Sequence, residues 1–240
     1  PEGLDGLSVV RDLQGRIVAL AGLNDVGGTN VAQKTVLRLD PATGVWESLA
    51  DLQVARCQAA AAVDRHGRII VFGGLTYPEP GVQEVLSNVE VYDEASNSWS
   101  FLSPMPEPCR DAVAIADPEG SSVLLCGGTP TDHTGARNAT YRYDVDSDTW
   151  APDTPMHYKR ITHAGALGPD GYAYAIGGWG GGPDDPDATG GTVERYDWAT
   201  RTWEVMSSLL VHPHQIGAAA SDGCRYIYVC GGWDPAYSNQ

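Results

Sequence analysis

Short apolar runs that end in two glycines recur along the whole chain. The clearest copy is Val71-Phe72-Gly73-Gly74, and a degenerate first copy is Leu20-Ala21-Gly22. The run returns as Leu125-Cys126-Gly127-Gly128, Ala175-Ile176-Gly177-Gly178 and Val229-Cys230-Gly231-Gly232. Measured at the last glycine, the intervals are 52, 54, 50 and 54 residues. A fixed period near 50 residues predicts a repeat architecture.

Each period contains the pattern of four short strands, here named A to D. In the second copy we predict strand A at 58–63, strand B at 68–72, strand C at 88–92 and the start of strand D at 99–102. A variable loop at about 75–87 separates strands B and C. Turn-forming residues between short apolar runs predict an all-β chain. A four-stranded unit has two apolar faces, so it must stack on further copies of itself.

A second signal marks the corner between strands C and D. An aspartate is followed six residues later by a tryptophan in four copies, at Asp40 and Trp46, Asp93 and Trp99, Asp144 and Trp150, and Asp197 and Trp203. The aspartate can accept hydrogen bonds from the turn that follows it. Four residues after it come Gly44, Asn97, Asp148 and Arg201, and three of these are types that tolerate the left-handed backbone that a bulged hairpin requires. Each tryptophan is predicted to bury its ring against a neighbouring sheet.

Charge and cysteine content exclude several functional classes. The chain has 240 residues and a formal net charge of −16, which repels phosphate backbones and anionic lipid. It has no apolar run long enough to span a membrane, so we expect neither nucleic-acid binding nor membrane insertion. The five cysteines show no CxxC pair and are expected to be reduced, buried thiols of a cytoplasmic protein. We predict no metal site and no cofactor.

These motifs together resemble the kelch repeat: an apolar run with Gly-Gly, then Tyr-Asp, then tryptophan, at about 50 residues. The resemblance covers nearly everything from residue 4 to 234 and implies a kelch β-propeller of four-stranded antiparallel blades. We predict one domain over 1–240, with blades at about 4–50, 51–103, 104–154 and 155–207 and a partial blade at 208–240. About four and a half blades are expected to form part of a six- or seven-bladed ring. An open ring exposes strand edges, so we expect a longer parent protein or a partner chain that supplies the missing strands.

A cationic position precedes strand A in each full repeat after the first. Eighteen residues before the last glycine lie Arg56, Arg110, Arg160 and His214, whereas the first copy has Leu4. In kelch substrate receptors similar to this pattern, arginines entering strand A contact acidic peptides, which implies a ring that captures carboxylates. The alternative is that each arginine braces a neighbouring blade through backbone carbonyls or through acids such as Glu107 and Asp111.

Three aromatic residues outside the repeat signature are further candidates for partner binding. Trp179 and Trp233 directly follow a Gly-Gly pair, and Tyr77 lies in the equivalent loop. Exposed tryptophan, tyrosine and arginine are typical of interface hot spots. The alternative is that each tryptophan covers its own blade as part of the scaffold.

The variable B–C loops, at about 23–34, 75–87, 129–138 and 179–191, are where a rigid repeat scaffold carries binding specificity. We therefore predict a protein-interaction module that binds a protein or an acidic peptide. By resemblance it serves as the substrate-recognition part of a ubiquitin-ligase adaptor or as an assembly scaffold. The alternative is a carbohydrate-active enzyme of the mutarotase or galactose-oxidase kind, although we identify no catalytic constellation.

Overall fold

We describe a computed structural model of the chain over residues 4–130, 135–180, 191–206 and 217–231. Regular structure in these ranges consists of antiparallel β-strands. Blade one contains β1 (Ser8–Arg11), β2 (Ile17–Leu20), β5 (Val36–Asp40) and β6 (Val45–Ser48), with a hairpin of β3 (Leu23–Val26) and β4 (Thr29–Ala32) between β2 and β5. Blade two contains β7 (Ala60–Val63), β8 (Ile69–Phe72), β11 (Val89–Asp93) and β12 (Ser98–Leu102), with a hairpin of β9 (Leu75–Glu79) and β10 (Val82–Val85) between β8 and β11.

The next two blades repeat this arrangement. Blade three contains β13 (Arg110–Ala116), β14 (Ser122–Thr129), β15 (Thr140–Asp144) and β16 (Thr149–Asp153). Blade four contains β17 (Ala164–Leu167), β18 (Ala173–Ile176), β19 (Val193–Asp197) and β20 (Thr202–Met206). A further pair is formed by β21 (Ala218–Ser221) and β22 (Ile227–Cys230). The four-stranded blades and their order along the chain confirm the architecture predicted from the repeat.

The chain divides into two compact units. The first comprises Pro1–Arg110 and Val145–Thr149, and it contains blades one and two. The second comprises Asp111–Asp144 and Trp150–Gln240, and it contains blade four, the β21–β22 pair and most of blade three. Each unit has its own apolar core. The first core includes Val18, Leu20, Val36, Ile69, Val71 and Trp99, and the second includes Ile115, Leu124, Cys126, Met156, Tyr196 and Trp203.

The Gly-Gly pair allows the backbone to pack where no side chain would fit. Gly73 and Gly74 have φ of +54° and +99°, a region that L side chains rarely adopt. A Cβ atom on Gly73 would lie 2.2 Å from the carbonyl oxygen of Cys109. The Gly74 amide donates to that same oxygen over 2.9 Å. The period marker is therefore a site of close backbone approach.

The turns between strands C and D have the predicted left-handed residue. Gly44, Asn97, Asp148 and Arg201 have φ of +70°, +46°, +52° and +58°. The aspartate before each turn accepts from the turn backbone, as Asp93 does from the amide of Ala95 over 3.0 Å and Asp197 from that of Ala199 over 2.8 Å. The turn geometry therefore follows from the aspartate and from the spacing, and it holds even where the left-handed residue is an arginine.

The spacing from aspartate to tryptophan is the same in all four copies, but the tryptophans differ in burial. Trp99 and Trp203 are 7% and 5% exposed, and each indole donates to a backbone carbonyl, that of Ala50 over 2.9 Å and that of Thr154 over 3.1 Å. Trp46 is 48% exposed. The prediction of ring burial is therefore wrong for Trp46.

Two loops expected between strands B and C are hairpins in the first unit. In the β3–β4 hairpin, Val26 pairs with Thr29 around Gly27 and Gly28, and the Gly28 amide donates to Asp25 over 2.7 Å. The β9–β10 hairpin turns at Gly81 and has a register shift between Val82 and Glu84. Strand β4 lies beside β9. The variable segments of blades one and two are therefore ordered two-stranded elements.

All five cysteines lie in the described residues and none forms a disulfide. Cys57 and Cys126 are buried and Cys109 is half-buried, but Cys224 and Cys230 are exposed. The expectation of buried thiols is therefore wrong for these last two. Cys230 occupies the strand position equivalent to Cys126, yet it lies on β22, which pairs only with β21 among the described strands.

Candidate functional site

The arginine position lies between two B–C segments. Its backbone is hydrogen-bonded to the B–C segment of the preceding blade, and the next residue is hydrogen-bonded to the B–C segment of its own blade. In the first unit the Arg56 amide donates to the carbonyl of Gln33, just after β4, over 2.9 Å. The following residue, Cys57, exchanges hydrogen bonds with Leu75 at the start of β9 over 2.9 and 2.8 Å. Arg56 therefore lies at the base of both hairpins and fixes where they leave the blades.

The Arg56 side chain points into its own blade and is fully buried, with 0% exposure. Its Nη1 donates to the carbonyl of Gly73 over 2.7 Å, and its Nη2 donates to the side-chain oxygen of Asn88 over 2.7 Å. Nη2 also forms an ion pair with Glu90 on β11. Burial lowers the pKa of Arg56, and the carboxylate of Glu90 opposes that shift. The guanidinium is thus occupied by groups of blade two.

Glu90 extends this contact to the connection between blades one and two. Its side chain is 0% exposed and accepts from the backbone amides of Gln53 over 2.7 Å and Val54 over 3.1 Å. A buried ion pair persists only where further hydrogen bonds satisfy the charged atoms, and this pair has them. Arg56 and Glu90 together join strand B, strand C and the incoming connection.

Blade four repeats this arrangement within the second unit. Arg160 is 0% exposed and donates to the carbonyl of Gly177 over 2.6 Å, and it pairs with Glu194 at 3.0 Å. Glu194 in turn accepts from the amides of His157 over 2.7 Å and Tyr158 over 3.2 Å. Burial lowers the pKa of Arg160 as well, against the opposing effect of Glu194. The same residue types in the same register therefore form the same buried contact twice.

Blade one departs from this pattern at both positions, and blade three departs from it at the glutamate position. Strand pairing aligns Glu90 with Leu37 in blade one and with Tyr141 in blade three. Blade one thus has Leu4 and Leu37 where blade two has Arg56 and Glu90. Arg110, which is 4% exposed, donates to the side-chain oxygen of Gln58 over 2.8 Å within the first unit.

The sequence left two interpretations of the arginines: a ring that captures carboxylates of a ligand, or a brace within the scaffold. The buried contacts of Arg56 and Arg160 are those of a brace. The acids that accept from Arg56 and Arg160 are Glu90 and Glu194. Sequence reasoning missed these glutamates, although each stands two residues before the Tyr-Asp motif, at Glu90-Val91-Tyr92 and Glu194-Arg195-Tyr196. The fourth cationic candidate, His214, and the aromatic candidate Trp233 lie outside the described residues.

The remaining aromatic candidates lie in different units and are both half-buried. Tyr77 lies on β9, where its hydroxyl oxygen accepts from the side-chain nitrogen of Gln83 over 3.3 Å. Trp179 exchanges backbone hydrogen bonds with Ile161, the residue after Arg160. Trp179 thus has the same backbone relation to Arg160 that Leu75 has to Arg56.

Next to Arg160 the second unit buries an imidazole that sequence reasoning did not place among the sites. His163 is 6% exposed, and its Nε2 lies 3.9 Å from the sulfur of Cys126. Burial, with a smaller contribution from the positive charge of Arg160, lowers the pKa of His163 to about 3. His163 is therefore neutral at physiological pH and part of the scaffold.

The two hairpins of the first unit carry exposed apolar side chains. Val26, Val31 and Val82 are 59%, 39% and 47% exposed. Strand pairing places Val26 and Val31 on one face of the β3–β4 hairpin, and it places Val82 opposite Glu79 on the β9–β10 hairpin. We call the solvent-exposed side chains of β3, β4, β9 and β10 the hairpin surface.

Two further properties limit the chemistry of the described residues. No group of three or more histidine, cysteine, aspartate or glutamate side chains among them is arranged to hold a metal ion. The same ranges contain no helix that is long and apolar enough to cross a membrane.

Comparison with known proteins identifies the class to which this fold belongs. The solved structure of YjhT matches 98% of the chain with a TM-score of 0.78 at 12% identity, and the match covers 79% of that structure. The Kelch motif family profile matches residues 55–106, which hold blade two. The fold is that of a β-propeller built from four-stranded blades.

Curated relatives with kelch repeats are similar to most of the chain. Kelch-like protein 25 of Xenopus tropicalis is 28% identical over 204 residues, and the match covers 82% of this chain and 32% of the relative. Human Kelch repeat and BTB domain-containing protein 13 is 28% identical over 194 residues, with 80% of this chain and 40% of the relative covered. The chain is similar to kelch-repeat proteins, as its motifs predicted, and it spans 32% and 40% of the length of these two relatives.

Proposed function

We propose that this chain is a protein-interaction module that binds its partner through the hairpin surface. The observation that carries the proposal is the exposure of Val26, Val31 and Val82 on two ordered hairpins. Exposed apolar side chains grouped on one part of a surface are typical of interaction sites. An ordered surface also loses less conformational entropy on binding than a flexible loop does.

The buried ion pairs support this proposal, because they explain how the hairpins are held. Arg56 contacts the residue after β4 through its backbone, and it contacts Gly73 and Glu90 through its side chain. The arginines thus contribute indirectly: they position the binding elements. This is the arrangement expected of variable loops on a rigid scaffold.

The enzyme alternative receives less support from the same contacts. A sugar site of the mutarotase kind would use arginines at an open surface. Arg56 and Arg160 are fully buried and paired with Glu90 and Glu194. Neither side chain is available to a substrate in this conformation.

The wider role follows by analogy with the relatives. One is named as a kelch-like protein and another as a kelch repeat protein with a BTB domain. By this analogy the chain acts inside the cell as the substrate-recognition part of a ubiquitin-ligase adaptor or as an assembly scaffold. A BTB segment in the parent protein would favour the adaptor.

A matched pair of surface variants tests the proposal. The test variant carries Val26→Ser, Val31→Ser and Val82→Ser, and the control carries Val9→Ser, Val45→Ser and Val205→Ser, which are also exposed valines. We expect the test variant to lose protein partners that the wild type and the control both retain in a quantitative pull-down. Melting temperatures should stay within a few degrees of each other. Retention of every partner by the test variant would contradict the proposal.

A further inference from the structure

The hairpin surface carries charge of one sign. Residues 23–33 and 75–86 contain three acids, Asp25, Glu79 and Glu84, and no lysine, arginine or histidine. All three acids are exposed. The two hairpins therefore add three negative charges beside the exposed valines.

The segments next to the hairpins do not compensate for this charge. The connection into blade two adds Asp51, which is exposed. The nearest exposed cation along the chain is Lys34, whose Nζ donates to the carbonyl of Gln53 over 2.7 Å. Arg56 and Arg110 are 0% and 4% exposed, so their charges lie below the surface. The exposed charge on the hairpins is thus negative, whereas an exposed arginine ring would present positive charge to a partner.

Acidic and apolar side chains are neighbours on the β9–β10 hairpin, where Glu79 lies directly opposite Val82. On the β3–β4 hairpin Asp25 is next to Val26 along the strand, and the two side chains point to opposite faces. A partner that matches this surface needs positive charges interleaved with apolar side chains. Nucleic acid and anionic lipid carry the wrong charge. A small apolar ligand would leave the acids unmatched.

We propose that the hairpin surface recognises a basic polypeptide segment, rich in lysine or arginine and containing apolar residues. This inference rests on the proposed function and names the chemistry of the partner. Complementary charge raises the rate of encounter and suppresses wrong partners, while the apolar contacts supply affinity. A basic segment is the opposite of the acidic peptide that the repeated arginine position alone suggests.

The test uses a phage-displayed library of random peptides selected on the full chain. We expect selected peptides to be enriched in lysine and arginine together with apolar residues. Their dissociation constants, measured by fluorescence anisotropy, should rise at least about tenfold in a variant with Asp25→Asn, Glu79→Gln and Glu84→Gln, and they should rise again with added salt. A control variant with Glu47→Gln, Glu119→Gln and Glu204→Gln removes three exposed acids elsewhere and should change binding less than about twofold.

Several outcomes of these experiments would overturn the proposal of a basic partner. Selection of acidic or neutral peptides, failure to select any, or equal loss in both acid variants would overturn it. The serine variant of Val26, Val31 and Val82 separates the two proposals. If that variant loses protein partners while the neutralised variant retains them, the hairpins bind a partner that is not basic. If neither variant loses partners, both proposals fail.

Discussion

Blade one and blade two occupy the same unit and share the same strand order, yet they differ at one register. Blade two has Arg56 and Glu90, both fully buried and ion-paired. Blade one has Leu4 and Leu37, both half-buried. A Cβ atom on Gly22 would lie 3.2 Å from the Cβ of Leu4, so Leu4 lies close to the glycine that corresponds to Gly74 of blade two.

The difference favours a scaffold role for the pair in blade two. Both members of the pair change together, from two opposite charges to two apolar side chains. A buried ion pair and a well-packed apolar pair of similar volume can have similar net stability, whereas a lone buried charge is costly. The buried side chains of Arg56 and Arg160 are therefore accounted for by Glu90 and Glu194.

Removal of one partner gives the largest expected effect. Glu90→Ala leaves Arg56 buried without its carboxylate and frees the amides of Gln53 and Val54, so we expect a loss of about 3–5 kcal/mol in the free energy of unfolding. The control is Glu47→Ala, which removes an exposed partner of Arg38 and should cost about 0–1 kcal/mol. Urea unfolding followed by fluorescence measures both. Equal losses would mean that burial does not distinguish the two glutamates.

The two tryptophans of the same unit extend the comparison. Trp99→Ala removes a buried ring and its hydrogen bond to Ala50, and we expect a loss of about 3–5 kcal/mol. Trp46→Ala removes a ring that is 48% exposed and should cost less than about 2 kcal/mol. Thermal and urea unfolding of the two variants gives the comparison. A reversed order would contradict the packing described here.

A third comparison concerns the residue three positions after the arginine. Blade two has Ala59 there, and blade four has His163, whose pKa is lowered to about 3. Below the unfolded value of about 6.5 the unfolded chain binds a proton that the folded chain does not, so stability falls by up to about 1.4 kcal/mol per pH unit until the folded pKa is reached. His163→Ala should remove this part of the slope between pH 7 and 5. An unchanged slope in the variant would mean that His163 is not buried and neutral.

The smallest effect is expected at the turn after strand C. Blade one has Gly44 there, and blade two has Asn97, whose side-chain oxygen accepts from the amide of Ala50 and the hydroxyl of Tyr92 over 2.9 and 2.7 Å. Asn97→Ala should cost about 1–2 kcal/mol, because it removes both hydrogen bonds and leaves a left-handed alanine. Asn97→Gly should cost less. Equal costs would assign the whole effect to the hydrogen bonds.

The repeat signature predicted the blades well because it records short-range geometry. The aspartate and the left-handed residue lie within one turn, so their spacing is enough to locate it, and Arg201 shows that position outweighs residue type. Gly27-Gly28 was also a hairpin signal, but it lay inside a segment treated as a variable loop.

Contacts between distant residues were the part that sequence reasoning missed. Arg56 and Glu90 are 34 positions apart, and the sequence does not say to which side of the blade an arginine points. The exposure of Trp46 is a similar case, since its motif is intact and only the surrounding strands decide its burial. Burial depends on neighbours that a one-dimensional repeat does not specify.

The most direct test of the scaffold role is a double-mutant cycle on Arg56 and Glu90. The unfolding free energies of Arg56→Leu, Glu90→Leu and the double variant are compared with that of the wild type. We expect each single change to cost about 3–5 kcal/mol and the double change, which imitates blade one, to cost less than their sum by about 2–3 kcal/mol. Additive costs, or stable single variants that lose only partner binding, would contradict the account.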